Sequence, residues 1–243
     1  MGRKWNNIKM KKAAQDKARS QNWTKVLREV TMAVRNSGAE VESNFALKVA
    51  LQKARDCNVS KDNVDKAIKK GLGEGGEDYY EINYEGYGLD GVAVFVEATT
   101  NNPTRTIGNV RNFFTKCGGA IGKEGCLQFV FERKAVFTIK DAGQNIDDLT
   151  LELIDFGVED VEKEDGFITL KGAVESFGSI YKKLEEMGIK VEESGLERIP
   201  LSTKEVTNKE SYDKNLKMVD LLEGDDDVIK VYHNMDYNEK FSG

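Results

Sequence analysis

Apolar residues recur at intervals of three and four from Trp23 onward. Trp23, Val26, Leu27, Val30, Ala33 and Val34 form one stripe, with Lys25, Arg28, Glu29 and Arg35 outside it. This is the period of a helix with one packing face and one charged face. The same pattern predicts a second helix over 44–57, through Phe45, Leu47, Val49, Ala50, Leu51 and Ala54. A third opens at Ser60, a good N-cap residue type, carries Val64, Ala67 and Ile68, and is stopped by Gly71 and Gly73. The glycine-rich acidic stretch 71–78 marks a domain boundary.

Beyond that stretch the period shortens toward two, with aromatic and β-branched residues over 79–87 and 92–98, which predicts strands. Residues 104–117 read as a helix whose buried stripe is Ile107, Val110, Phe113 and Phe114, and 126–139 as a strand with Phe129, Phe131 and Val136. There follow helix 149–156, strands 158–162 and 167–170, helix 174–187 and strand 189–196, then helix 208–222 and strand 228–232. A lone helix and strand at the end cannot make a core. The economical arrangement returns them to the middle of the chain. The expected fold class is therefore α+β: an all-helical N-terminal domain (1–77) and two α/β domains. The middle one is ferredoxin-like and discontinuous (78–139 and 200–243), with a small α/β domain inserted at 140–199.

The net charge of −6 over 243 residues conceals an asymmetry. Residues 1–73 hold 17 Lys and Arg against 7 Asp and Glu, whereas the remainder holds 19 against 35. A basic head on an acidic body points to a polyanion partner, because clustered cations gain counterion-release free energy on nucleic acid whatever the total charge. At 39% hydrophobic and 32% charged residues the chain has enough apolar content for packed cores. No stretch approaches the roughly 20 apolar residues of a membrane span, and the opening residues show no secretory pattern. A cytoplasmic protein is expected.

Catalytic and cofactor signatures fail one by one. Three cysteines, Cys57, Cys117 and Cys126, form no CxxC, and the single histidine, His233, lies on the expected last strand. Residues 71–76 match the spacing GxGxxG but follow a helix, where a dinucleotide site must follow a strand. Residues 118–123 are one residue short of a phosphate loop, and Glu124 stands where Ser or Thr would meet magnesium. Asp147–Asp148 and Asp225–Asp227 read as turn and helix-end residues. No enzyme, metal or cofactor is expected.

The N-terminal run is different in kind. Between Arg3 and Arg19 it carries seven cations with an indole among them. Lys4, Lys9, Lys11, Lys12, Lys17 and Arg19, with Lys25 and Arg28 on the following helix, would sit on phosphates while Trp5 stacks on a base or sugar. The ordinary alternative is a solvated arm whose Trp5 packs on the helical domain. The turn Asn101-Asn102-Pro103-Thr104-Arg105-Thr106 opens a helix, so Arg105 and the helix N-terminus would favour a phosphate, or Asn102 and Thr104 merely cap it.

Lys4-Trp5-Asn6-Asn7-Ile8, then Lys12-Ala13-Ala14-Gln15-Asp16, Thr24-Lys25, Tyr84-Glu85-Gly86-Tyr87-Gly88 and Phe131-Glu132-Arg133-Lys134 resemble, in order and over essentially the whole chain, the YebC/PmpR family of probable transcriptional regulatory proteins. The Gly2-Arg3-Lys4-Trp5 opening looks like the YeeN branch. The resemblance implies three domains, the third inserted into the second. It also implies one of two partners: promoter DNA, or ribosomal RNA near the peptidyl-transferase region, since the family includes a mitochondrial translational activator and ribosome-associated factors that relieve stalling. The sequence departs from the family pattern where Pro103 replaces an arginine of the Asn-Arg-Asn-Arg-Thr turn, which weakens any anion-binding role carried over to that turn. No helix-turn-helix or zinc finger is recognisable to supply base readout.

Overall fold

The computed structural model describes residues 19–74, 79–238 and 241. It opens with α1 (Arg19–Ser37), α2 (Phe45–Asp56) and α3 (Lys61–Gly71). Val30, Ala33 and Val34 of α1 close with Leu47, Ala50 and Ala67 into one small core. Asn44 starts α2: its side chain accepts from the Leu47 amide at 3.0 Å while its Nδ2 donates to the carbonyls of Ala33 and Gly38. One buried amide thus caps α2 and ties it to the end of α1. Ser60 occupies the N-cap position of α3 without a side-chain cap bond. Gly71 ends α3 where a Cβ would stand 2.7 Å from the Thr31 carbonyl and the Val34 side chain, so glycine lets α3 lie close on α1.

The middle of the chain contributes β1 (Tyr80–Tyr87), β2 (Ala93–Thr100), α4 (Pro103–Lys116) and the two-residue β3 (Ala120–Ile121). The end of the chain adds α7 (Lys209–Glu223) and β8 (Val228–His233). These strands make one antiparallel sheet in the order β3-β1-β2-β8. Val94, Val96 and Ala98 of β2 pack with Val110 and Phe114 of α4 and with Tyr212, Met218 and Leu222 of α7. Both helices therefore cover one face of the sheet. This helical head and this sandwich belong to one compact unit, 13–130 with 200–243.

Residues 131–199 form the other unit. It runs β4 (Phe131–Lys140), α5 (Ile146–Ile154), β5 (Val158–Glu164), β6 (Phe167–Gly172), α6 (Phe177–Glu186) and β7 (Val191–Pro200), with sheet order β5-β6-β4-β7. The α+β class holds. The β-α-β-β-α-β run with ferredoxin-like strand order lies here, in full, while the discontinuous middle sheet shares the two-layer build with a different connectivity.

That difference traces to one segment. The strand expected over 126–139 within the middle domain begins only at Phe131 and pairs with β6, placing Phe137 opposite Leu170 and Ile139 opposite Ile168. Residues 124–130 are turns, closed by the bonds Cys126 N to Lys123 O and Val130 N to Leu127 O. The place assigned to that strand in the middle sheet is taken by β3, too short to show a period of its own. Phe137 is fully buried, its ring centroid 4.6 Å from that of Phe177 on α6.

Candidate nucleic-acid interface

Six of the ten candidate contact residues, Lys4, Trp5, Lys9, Lys11, Lys12 and Lys17, lie outside the described residues. Arg19 opens α1. The remaining three meet the end of α7 and the turn after it, Lys25 at the Glu223 carbonyl and Arg28 and Arg105 at Asp227.

α1 is used on two sides. Its apolar stripe meets α2 and α3, and its cationic side meets the middle sandwich. Lys25 Nζ donates to the Glu223 carbonyl at 2.6 Å, at the C-terminal end of α7, where the helix dipole favours a cation. Arg28 Nη1 donates to the Thr99 carbonyl at 3.1 Å, to the Asp226 carbonyl, and to Asp227 Oδ1 at 2.9 Å. Arg35 Nη1 reaches the Tyr79 carbonyl at 3.2 Å. The guanidinium of Arg28 also lies 5.4 Å from the Tyr79 ring centroid, and Lys70 Nζ lies 4.3 Å from it on α3.

Asp227 is the centre of this arrangement. Its side chain is 3% exposed and accepts from Arg28, from Arg105 Nη2 at 2.7 Å and Nε at 3.2 Å, and from the Thr106 hydroxyl at 2.8 Å. The Thr106 hydroxyl also contacts the Thr100 hydroxyl at 2.8 Å, and Asn102 caps α4 by accepting from the Arg105 amide at 3.0 Å. The start of α4 is thus an anion site of the expected kind, with a guanidinium fork, a hydroxyl and a helix N-terminus. Its anion is the chain's own carboxylate. Burial pushes the Asp227 carboxyl up, but the hydrogen bonds from Arg105 and Thr106 and the charges of Arg28 and Arg105 outweigh it and hold the group below the usual range.

Arg28 and Arg105, expected on phosphates, both engage Asp227 through their guanidinium groups. The partners lie 199 and 122 residues apart, so no local pattern could link them. Asp227 was legible only as a turn residue before a strand.

On the outer sides of the head, Arg55 of α2 and Lys61, Lys66 and Lys69 of α3 are exposed. Lys53 bridges Glu29 at 2.8 Å instead. Among the described residues no group of three or more His, Cys, Asp or Glu is placed to hold a metal ion, and no helix is long and apolar enough to cross a membrane.

The motif Tyr84-Glu85-Gly86-Tyr87-Gly88 is built into the sandwich. The buried Glu85 carboxylate accepts from the amides of Gly125 at 2.9 Å and Leu127 at 2.6 Å, and the Tyr87 hydroxyl donates to the Cys126 carbonyl at 3.3 Å. Beside it, burial and the Glu85 carboxylate push the Cys126 thiol up. A Cβ on Gly86 would stand 2.6 Å from the Ala120 carbonyl and from the Phe114 ring, and one on Gly88 would strike the Asn215 side chain. These residues hold the 122–130 turns against the sheet.

Two family models account for nearly all of this chain: "TACO1/YebC protein N-terminal domain" matches residues 3–74, and "TACO1/YebC second and third domain" matches residues 79–235. The chain belongs to the TACO1/YebC family. Among its TACO1/YebC relatives, a Persephonella marina protein named probable transcriptional regulatory protein is 40% identical over 239 residues, covering 98% of this chain and 96% of the relative. One of the same name from Parabacteroides distasonis is 44% identical over 214 residues, 88% of each. A solved structure of a conserved hypothetical protein from Aquifex aeolicus superposes with a TM-score of 0.84 at 34% identity over 93% of each chain. The junction of the two TACO1/YebC models falls between residues 74 and 79, in the glycine-rich acidic stretch.

Proposed function

We propose that this protein is a non-enzymatic, cytoplasmic regulator of gene expression whose basic helical head contacts the phosphate backbone of nucleic acid. The observation that carries the reading is the charge asymmetry: 17 cationic against 7 acidic residues over 1–73, on a body that includes 17 acidic against 9 cationic residues over 131–199. Such a body repels a polyanion, which confines contact to the head. The cationic side of α1 is engaged by the middle sandwich. The contact surface is therefore taken to be the N-terminal run, Lys4 to Arg19 with Trp5, together with the exposed cations of α2 and α3. Contacts of this kind position a protein without reading sequence. The relatives' name favours DNA as the partner, with transcription as the process regulated.

The test is co-sedimentation with ribosomes from a cell lysate across a salt series, alongside binding to random duplex DNA in the same buffers. Salt-sensitive DNA binding without ribosome association supports the transcriptional role. Ribosome association that exceeds DNA binding moves the same surface to ribosomal RNA and to translation. Binding to neither overturns the nucleic-acid reading.

A further inference from the structure

The head and the middle sandwich each close their own hydrophobic core. Among the described residues, the head's cluster draws on α1, α2, α3 and the turn after α1, and the sandwich's cluster contains no residue of the head. The contacts named between them are polar or cation–π. Lys25 and Arg35 each donate to a backbone carbonyl, and Arg28 donates to two carbonyls and one carboxylate. Domains joined this way are expected to move relative to one another unless a specific interaction holds them.

Asp227 is built to be that interaction. Within its own domain it is already seated by Arg105, by Thr106, and by its own amide, which donates to Asp225 Oδ1 at 2.9 Å. Its Oδ1 also accepts from Arg28 of the head. With the carboxylate held in place, Arg28 meets an anion whose position costs nothing further to organise. Arg28 is itself nearly enclosed, its side chain 11% exposed, so without Asp227 a buried guanidinium would be left with two carbonyls and the Tyr79 ring and no carboxylate.

We infer that Asp227, seated by Arg105 and Thr106, is a latch that sets the pose of the helical head on the middle sandwich through Arg28. Asp227, Arg105 and Thr106 are positioning residues here, and the inference stands whether or not the head binds nucleic acid.

The test measures backbone residual dipolar couplings on the full chain, fitted separately for amides of α1–α3 and of β1, β2, β8, α4 and α7. In the native protein both sets fit one alignment tensor. In Asp227→Asn the head's tensor should fall in magnitude by roughly half or more and diverge from the sandwich's, as expected for a polar interdomain joint set free. Amide shifts around Leu47, Ala50 and Ala67 should stay in place, showing an intact head. A folded Asp227→Asn protein that keeps one shared tensor overturns the latch. Should Asp227→Asn fail to fold, Arg28→Met, which keeps the stem and removes the charge, decides in the same way: separate tensors support the latch and a shared tensor overturns it.

Discussion

Arg28 and the N-terminal lysines are equivalent as sequence candidates for phosphate contact, and Arg28 is found on Asp227. Consider Arg28→Ala beside the triple variant Lys9→Ala, Lys11→Ala, Lys12→Ala. Arg28 is 11% exposed and Asp227 3%, so the pair sits in a desolvated place. Removing one partner of a buried pair costs about 3–5 kcal/mol. Asp227 keeps Arg105 and Thr106, so the remaining charge stays paired and hydrogen-bonded. The lower end, about 3 kcal/mol, is therefore expected. The assay is urea unfolding followed by indole fluorescence, since both tryptophans, Trp5 and Trp23, fall within residues 3–74, matched by the N-terminal family domain. The second assay is the slope of log affinity against log salt for duplex DNA or ribosomes. The arm variant should lose up to about one log–log unit per phosphate contact removed, with stability changed by less than about 0.5 kcal/mol. Arg28→Ala should lose stability and keep its slope. The reverse result, an Arg28→Ala protein of unchanged stability and reduced slope, would refute the assignment of Arg28 to the domain joint.

Three further outcomes follow from the geometry. Asp227 is held below its unfolded value of about 3.9, so its contribution is complete above that pH and is lost as pH falls through the lower folded value. Arg28 from α1, Arg105 from α4, Tyr84 from β1 and Asp225 and Asp226 of its own turn surround it. Urea midpoints measured from about pH 5 downward should therefore fall more steeply for the native protein than for Asp227→Asn, and parallel curves would remove Asp227 from the account. Glu85→Gln places an amide donor against one of two amide donors, Gly125 or Leu127, and should cost about 2–4 kcal/mol in urea unfolding; a loss below about 0.5 kcal/mol would show that the 122–130 turns stand without it. Phe137→Ala empties a fully buried site against Phe177 and should cost about 3–5 kcal/mol, and a near-neutral result would contradict the packing of β4 under α6.

What the sequence determined by itself was whatever depends on neighbours a few residues apart. The apolar stripe of α1, and the cap at Asn102 with Pro103 in the first turn of α4, each rest on interactions spanning one or two helical turns. Helix and strand positions followed. The basic head was also legible, because charge counts need no fold.

Tertiary structure decided the rest. Phe131 and Val136 mark a strand, but either sheet would accept it equally well, and strand pairing is a choice among distant partners. The charged side of α1 was equally ambiguous. A lysine or arginine on a helix reads the same whether it faces water, a phosphate or a carboxylate from the far end of the chain. Only the return of the last strand brings Asp227 to Arg28 and Arg105. Coulombic and hydrogen-bonded partners are selected by proximity in space, and a sequence records the groups that can pair without recording which ones folding brings together.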